Sequence, residues 1–194
     1  MDSPYAPPET PSLMRRRRTF LAPLWLLALG FIVLVATAFA YWNSANTTTI
    51  VLIRHAEKQV NADNDAPLSS EGELRAARLA QMFGDASPYG RIGNIYVTDT
   101  RRTQQTAAGV AQRLGIAPKV VPAKTSAGDL ANQLLGENRG GRALVVGHSN
   151  TVPDIVAALA DQDNVPPIAD DEFDTIYVVS VPTIGHATVL RLKY

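Results

Sequence analysis

Along the chain, short apolar runs rich in β-branched residues alternate with longer amphipathic segments, and several of the apolar runs end abruptly in polar clusters. Thr49–Ile53 reads as a first strand, Ile92–Val97 as a second, Lys119–Val121 as a short third and Arg142–Val146 as a fourth. Between them the 3.6-residue period predicts helices. One is capped by Ser69 or Ser70 and runs to about Phe83, with Glu71 and Glu73 in its first turn and Gly84 just past its end. A second spans Arg101–Leu114 and is closed by Gly115, a third runs from Thr125 or Ser126 to about Glu137, and a fourth spans Thr151–Ala160 with Pro153 in its first turn. Residues His55–Ser69 read as a long polar loop. After Pro166-Pro167, the alternating runs Thr175–Val181 and Ala187–Leu192 predict an antiparallel hairpin at a sheet edge, with His186 in the turn. Strands alternating with helices predict an α/β domain: a three-layer α/β/α sandwich on a mostly parallel sheet with an antiparallel edge.

A different pattern precedes the domain. Residues 1–19 are proline-rich and carry Arg15-Arg16-Arg17-Arg18, a composition expected to stay disordered. Phe20–Trp42 then contains no charged residue, and as a helix it would reach about 34 Å, enough for a hydrocarbon core of about 30 Å. Arginines before it and an uncharged flank after it predict a signal anchor with its N-terminus in the cytoplasm, Tyr41 and Trp42 at the far headgroups, a linker over 43–48 and the domain over 49–194 on the periplasmic or extracellular side. Ala-x-Ala patterns around Ala36–Ala40 leave a cleaved signal open, and Arg17-Arg18-Thr19-Phe20-Leu21 a twin-arginine route.

The 194-residue chain has no cysteine, which removes disulfides, thiolate metal sites and cysteine nucleophiles. From Asn46 onward 14 basic residues face 16 acidic ones, which argues against a nucleic-acid partner and leaves any anion site as a local pocket.

The chemistry collects where strands end. Arg54-His55-Ala56-Glu57 follows the first, Thr98-Asp99-Thr100-Arg101-Arg102-Thr103-Gln104-Gln105-Thr106-Ala107 the second, and Gly147-His148-Ser149-Asn150 the fourth. In an open α/β sheet ligands gather at the carboxyl ends of parallel strands. A guanidinium matches phosphate or carboxylate, and an imidazole serves as nucleophile, base or ligand. Either Arg101 or Arg102 is available, His148 can also be read as a satisfied strand-end histidine, and Gly147 permits close approach of backbone to a ligand.

Together with Leu68-Ser69-Ser70-Glu71-Gly72-Glu73-Leu74-Arg75-Ala76, these motifs resemble the histidine phosphatase superfamily, also called phosphoglycerate mutase-like, over about Ile50–Tyr194. The resemblance implies a phosphatase acting through a phosphohistidine on His55. Arg54, Arg102 and His148 would complete the phosphate pocket, Asn150 would assist in binding, and neither metal nor cofactor would be needed. Cationic neighbours would keep His55 neutral. The implied partner is a small phosphorylated molecule or a phosphoprotein carrying a monoester, an anhydride or phosphohistidine. Many members carry a glutamate proton donor in the region matching Val120–Asp129, and here that region has none; Glu57, Asp129 and Asp154 stand as candidates. Alternatives are a mutase-type phosphotransferase, a metal-dependent hydrolase and a non-catalytic anion-binding module.

Overall fold

The computed structural model describes residues 24–60, 65–84, 90–122 and 124–194. The chain divides into two compact units, one to Phe39 and one from Ala40 to Tyr194. The basic tail, Phe20–Pro23 and the twin-arginine pattern lie outside the described residues.

The first helix, α1 (Leu24–Ala45), is 22 residues long, carries no charge and buries none of its side chains. At 1.5 Å per residue it measures about 33 Å, so by length and composition it can cross a membrane, as a signal sequence near an N-terminus also can. It ends three residues later than the apolar run predicts. Asn43, Ser44 and Ala45 continue the helix, and Asn46 closes it with a backbone bond back to Trp42.

From Ala40 onward the elements are β1 (Thr48–Arg54), α2 (Ser70–Gly84), β2 (Asn94–Thr98), α3 (Arg101–Leu114), β3 (Lys119–Val121), α4 (Ala127–Glu137), β4 (Arg142–Gly147), α5 (Thr151–Ala160), β5 (Thr175–Val181) and β6 (Thr188–Lys193). They build one six-stranded sheet in the order β3-β2-β4-β1-β5-β6. β3, β2, β4 and β1 are mutually parallel, while β5 runs antiparallel to β1 and β6 antiparallel to β5. The terminal hairpin therefore forms the edge that its alternation predicts.

Helices cover both faces. Leu130 and Leu134 of α4 and Val152, Ile155, Val156 and Leu159 of α5 pack with Ile50, Leu52, Tyr96 and Val145 on one side of the sheet. Leu79 of α2 and Val110 and Leu114 of α3 pack with Val51, Ile53, Ile95 and Val146 on the other. β1 and β4, at the centre, are apolar on both faces, which is why they read as continuous runs and not as alternation. The adjacent strands β1 and β4 lead to helices on opposite faces, α2 and α5, so the chain diverges at their carboxyl ends and opens a crevice there.

Local chemistry sets the helix starts. Ser69 caps α2, its Oγ accepting from Gly72 N at 3.1 Å, and Ser126 caps α4, its Oγ accepting from Asp129 N at 3.1 Å. Gly115 ends α3 at φ 67°, a left-handed turn in which its N–H reaches back to Ala111 and Gln112.

Candidate active site

Arg54 and Gly147 are register partners at the ends of β1 and β4, and His55 N donates to Gly147 O at 2.9 Å. The next residue on each chain is a histidine. His55 and His148 meet edge to face, with ring centroids 5.3 Å apart and planes at 66°. The cavity they share, about 420 Å³, is bordered by Arg54, Lys58, Thr100, Arg102, Ser149, Asn150, Thr151 and Asp170. The first turns of α3 and α5 thus border it, and the positive dipole ends of the two helices favour an anion. Arg54, His55, Arg102, His148 and Asn150 come together; Arg101 is exposed, and its backbone N–H is held by Asp65.

His55 is buried, and its Nδ1 lies 2.8 Å from Ala56 O. A carbonyl only accepts, so Nδ1 carries the proton and Nε2 keeps the lone pair. Its pKa is lowered to about 4, chiefly by burial, with smaller contributions from His148, Arg102 and Arg54. The ring is neutral as expected and Arg102 and Arg54 act in the expected direction, but desolvation is the larger cause. His148 is likewise lowered to about 4 by burial and then by Arg102. Its Nε2 lies 3.1 Å from Thr98 Oγ1 and its Nδ1 3.5 Å from an Arg102 amino group.

The two arginines differ in their ties. Arg54 is buried, and its Nη1 donates to the carbonyls of Ala169, Asp170 and Glu172 at 2.8, 2.9 and 3.0 Å, while Phe173 stacks on the guanidinium with its centroid 4.0 Å from Cζ. Burial lowers its pKa, opposed first by Asp170. The Nε atoms of Arg54 and Arg102 are both buried without a partner. Two orphaned cationic donors in one crevice fit an anion, because an unpaired buried polar group is costly.

The residues around these have positioning tasks that their sequence motifs disguise. Thr106 Oγ1 accepts from Ala56 N at 3.0 Å and donates to Arg102 O at 2.7 Å, and Gln105 Oε1 accepts from Leu68 N at 2.8 Å. α3 is thereby tied to the loop after His55. Gly72 lies against the same loop: a Cβ there would fall 2.1 Å from Glu57 O. Gly147 serves packing as well, since an added Cβ would meet Val152 Cγ2 at 3.0 Å and Thr151 Oγ1 at 3.2 Å.

The foreseen proton donors separate. Glu57 accepts bidentately from Arg75, at 2.8 and 2.9 Å from Nε and 2.5 Å from Nη2, and is not among the residues lining the histidine cavity. Burial pushes its carboxyl up, but the Arg75 bonds prevail and hold it below its ordinary value. Asp129 accepts from Ser126 Oγ at 2.6 Å in the cap of α4. Asp154 lines a second cavity, which shares Thr151 with the histidine cavity. Asp170, unforeseen, lines the histidine cavity itself. His186 is exposed in the β5–β6 turn. Among the described residues no group of three or more His, Asp or Glu is gathered for a metal.

Residues 50–126 match the family model described as histidine phosphatase superfamily (branch 1). A Cronobacter sakazakii protein named "Probable phosphoglycerate mutase GpmB" is 39% identical over 72 residues, 34% of this chain and 32% of that protein. The chain thus spans about a third of the length of that curated relative. Among solved structures, the protein histidine phosphatase SixA complexed with tungstate aligns with TM-score 0.62 at 20% identity, covering 75% of this chain and 96% of that one. The native mycobacterial glucosyl-3-phosphoglycerate phosphatase aligns with TM-score 0.57 at 16% identity, covering 69% and 90%. At these identities the structural likeness carries the fold, an α/β sheet of the phosphoglycerate mutase-like kind.

Proposed function

We propose that this chain is a member of the histidine phosphatase superfamily, a reading supported by the match over residues 50–126, and that it is a metal-independent phosphatase that forms a covalent phosphohistidine on His55. The observation carrying this reading is the tautomer of His55: with Nδ1–H committed to Ala56 O, the lone pair on Nε2 is available beside two orphaned arginine donors.

In this reading Arg54 and Arg102 hold the non-bridging oxygens of the phosphoryl group and offset its charge in the transition state. The Nε2–P bond forms as the bond to the leaving oxygen breaks, and Asp154 gives that oxygen its proton. Water then attacks phosphorus, its proton passes to the same carboxylate, and the N–P bond breaks to release phosphate. Thr98 Oγ1 sits among the Thr100 and Thr103 hydroxyls and can serve either tautomer of His148. Because an Arg102 amino group only donates, His148 Nδ1 accepts from it, and the neutral ring carries its proton on Nε2, which donates to Thr98 Oγ1 and fixes the ring beside Arg102. Asn150 and the N–H groups opening α5 complete the binding.

A metal-dependent hydrolase would have to seat its cation beside two guanidinium groups, which repel it. The identity to a protein named as a phosphoglycerate mutase keeps phosphotransfer to a second bound acceptor as the other reading. For the localisation, α1 is read as an uncleaved anchor, with Arg15–Arg18 keeping the N-terminus cytoplasmic and the domain outside. Protease applied to spheroplasts, with the outer layers removed and the inner membrane intact, should then remove the domain; complete protection overturns that topology.

The activity is tested on the full chain in detergent, with and without chelator, using labelled aryl and acyl phosphates. Acid-labile, base-stable label on the parent protein, absent in His55→Ala, together with chelator-insensitive phosphate release, is the expected result. Label without release to water, discharged only by an added phosphoglycerate, favours the mutase; no label on the parent overturns the covalent mechanism.

A further inference from the structure

Beside the phosphate cavity lies a second cavity of about 260 Å³, set over the carboxyl ends of β2, β3 and β4 and under the first turns of α4 and α5. The two are neighbours through His148. Thr151, whose Oγ1 accepts from His148 N, borders both, and Thr98, whose Oγ1 lies 3.1 Å from His148 Nε2, borders the second. A group leaving from a phosphoryl centre held at His55 and His148 therefore has this chamber within reach.

The walls differ in kind from the phosphate cavity. Val121, Ala127, Leu130 and Ile155 make most of the wall apolar, and among the described lining residues there is no lysine, arginine or histidine; Asp154 is the one acidic side chain. A second anionic group would find no cation here to pair with. An apolar ring or chain would displace water from an apolar wall, which favours its burial there. Resting on the phosphatase reading above, we infer that this chamber receives the organic part of the substrate, and that this part is apolar and bears no second anion. The substrate class is then an aryl or alkyl phosphate, not a phosphorylated carboxylic acid.

Steady-state kcat/KM of the full chain in detergent for 1-naphthyl phosphate, 3-phosphoglycerate and acetyl phosphate tests this. The parent is expected to favour 1-naphthyl phosphate over 3-phosphoglycerate by about 100-fold, the discrimination a well-matched site can reach. Filling the chamber with Ala127→Phe or Leu130→Trp should lower the ratio of 1-naphthyl to acetyl phosphate by about tenfold or more. Leu130 is buried, so Ala127→Phe, at a half-buried helix start, carries the test if the tryptophan variant fails to fold; if neither folds, the substrate order of the parent decides. A parent that prefers 3-phosphoglycerate, or a folded variant whose ratio stays at the parent value, overturns the inference. Absence of release from all three substrates overturns the phosphatase reading and this inference with it.

Discussion

His55 and His148 face each other at 5.3 Å because their strands, β1 and β4, pair in register up to Arg54 and Gly147, so each ring is the first side chain beyond a paired strand end. Burial holds both near pKa 4, below the ordinary 6.5. Both rings should therefore titrate near pH 4 in histidine NMR spectra of the free protein, with His55 as the Nδ1–H tautomer above that. The unfolded chain takes up these protons first, between about pH 6.5 and 4. Stability should consequently fall as pH drops through that window, by denaturant midpoint, and this contribution should level off below about 4. A ring that titrates at 6.5 or above would contradict the account of His55.

Arg54 has a double task. Its Nη1 satisfies three carbonyls of the 169–172 segment, its Nε is buried without a partner, and the side chain also borders the histidine cavity. Arg54→Ala orphans those carbonyls and should cost about 2–4 kcal/mol in denaturant unfolding besides abolishing turnover. Arg54→Lys keeps the charge but loses the planar fork; about 100-fold in kcat should go, with a smaller stability loss. Equal stability losses in the two variants would argue against the carbonyl clamp.

Glu57 and Arg75 form a bidentate pair with side chains 14% and 17% exposed. Shielded from solvent, the pair should show a coupling of about 1–2 kcal/mol in a double-mutant cycle of Glu57→Gln and Arg75→Met. Glu57→Gln should leave the dependence of rate on leaving-group pKa unaltered, since its carboxylate is held ionised away from the histidines. A steeper dependence in that variant would return Glu57 to the proton-donor candidates.

What was legible in the sequence was what depends on side-chain pattern. Central strands buried on both faces read as apolar runs, and Ser69, Ser126, Gly115 and Pro153 mark helix ends by local chemistry. The apolar run opens at Ile92, two residues before β2, because Ile92 is buried like a strand residue, yet pairing starts only at Asn94 opposite Ala143. The cavity residues could be listed from strand ends, since topology brings those ends together. The clamp on Arg54 could not, because backbone carbonyls of Ala169, Asp170 and Glu172 make it, and carbonyls have no sequence signature. Asp170 was hidden in the same way, as one acid among several in a turn. Gly72 was seen as part of a motif, but its reason is tertiary: Gly72→Ala would drive a Cβ into Glu57 O at 2.1 Å, and a loss of about 3 kcal/mol or more by thermal unfolding is expected.

Proton donation separates the remaining carboxylates. Asp154 lines the chamber next to His148, and Asp170 lies on the opposite flank, beside Arg54. If the leaving oxygen turns toward the chamber, Asp154→Asn should slow alkyl phosphates, whose leaving groups need a proton, by about 100-fold. The same variant should slow p-nitrophenyl phosphate far less, so that the plot of log kcat against leaving-group pKa steepens. Asp170→Asn should shift both substrates together and modestly, through the field on Arg54. The reverse pattern, steepening in Asp170→Asn and a parallel shift in Asp154→Asn, would move the leaving group to the Arg54 side of the site and the proton donor with it.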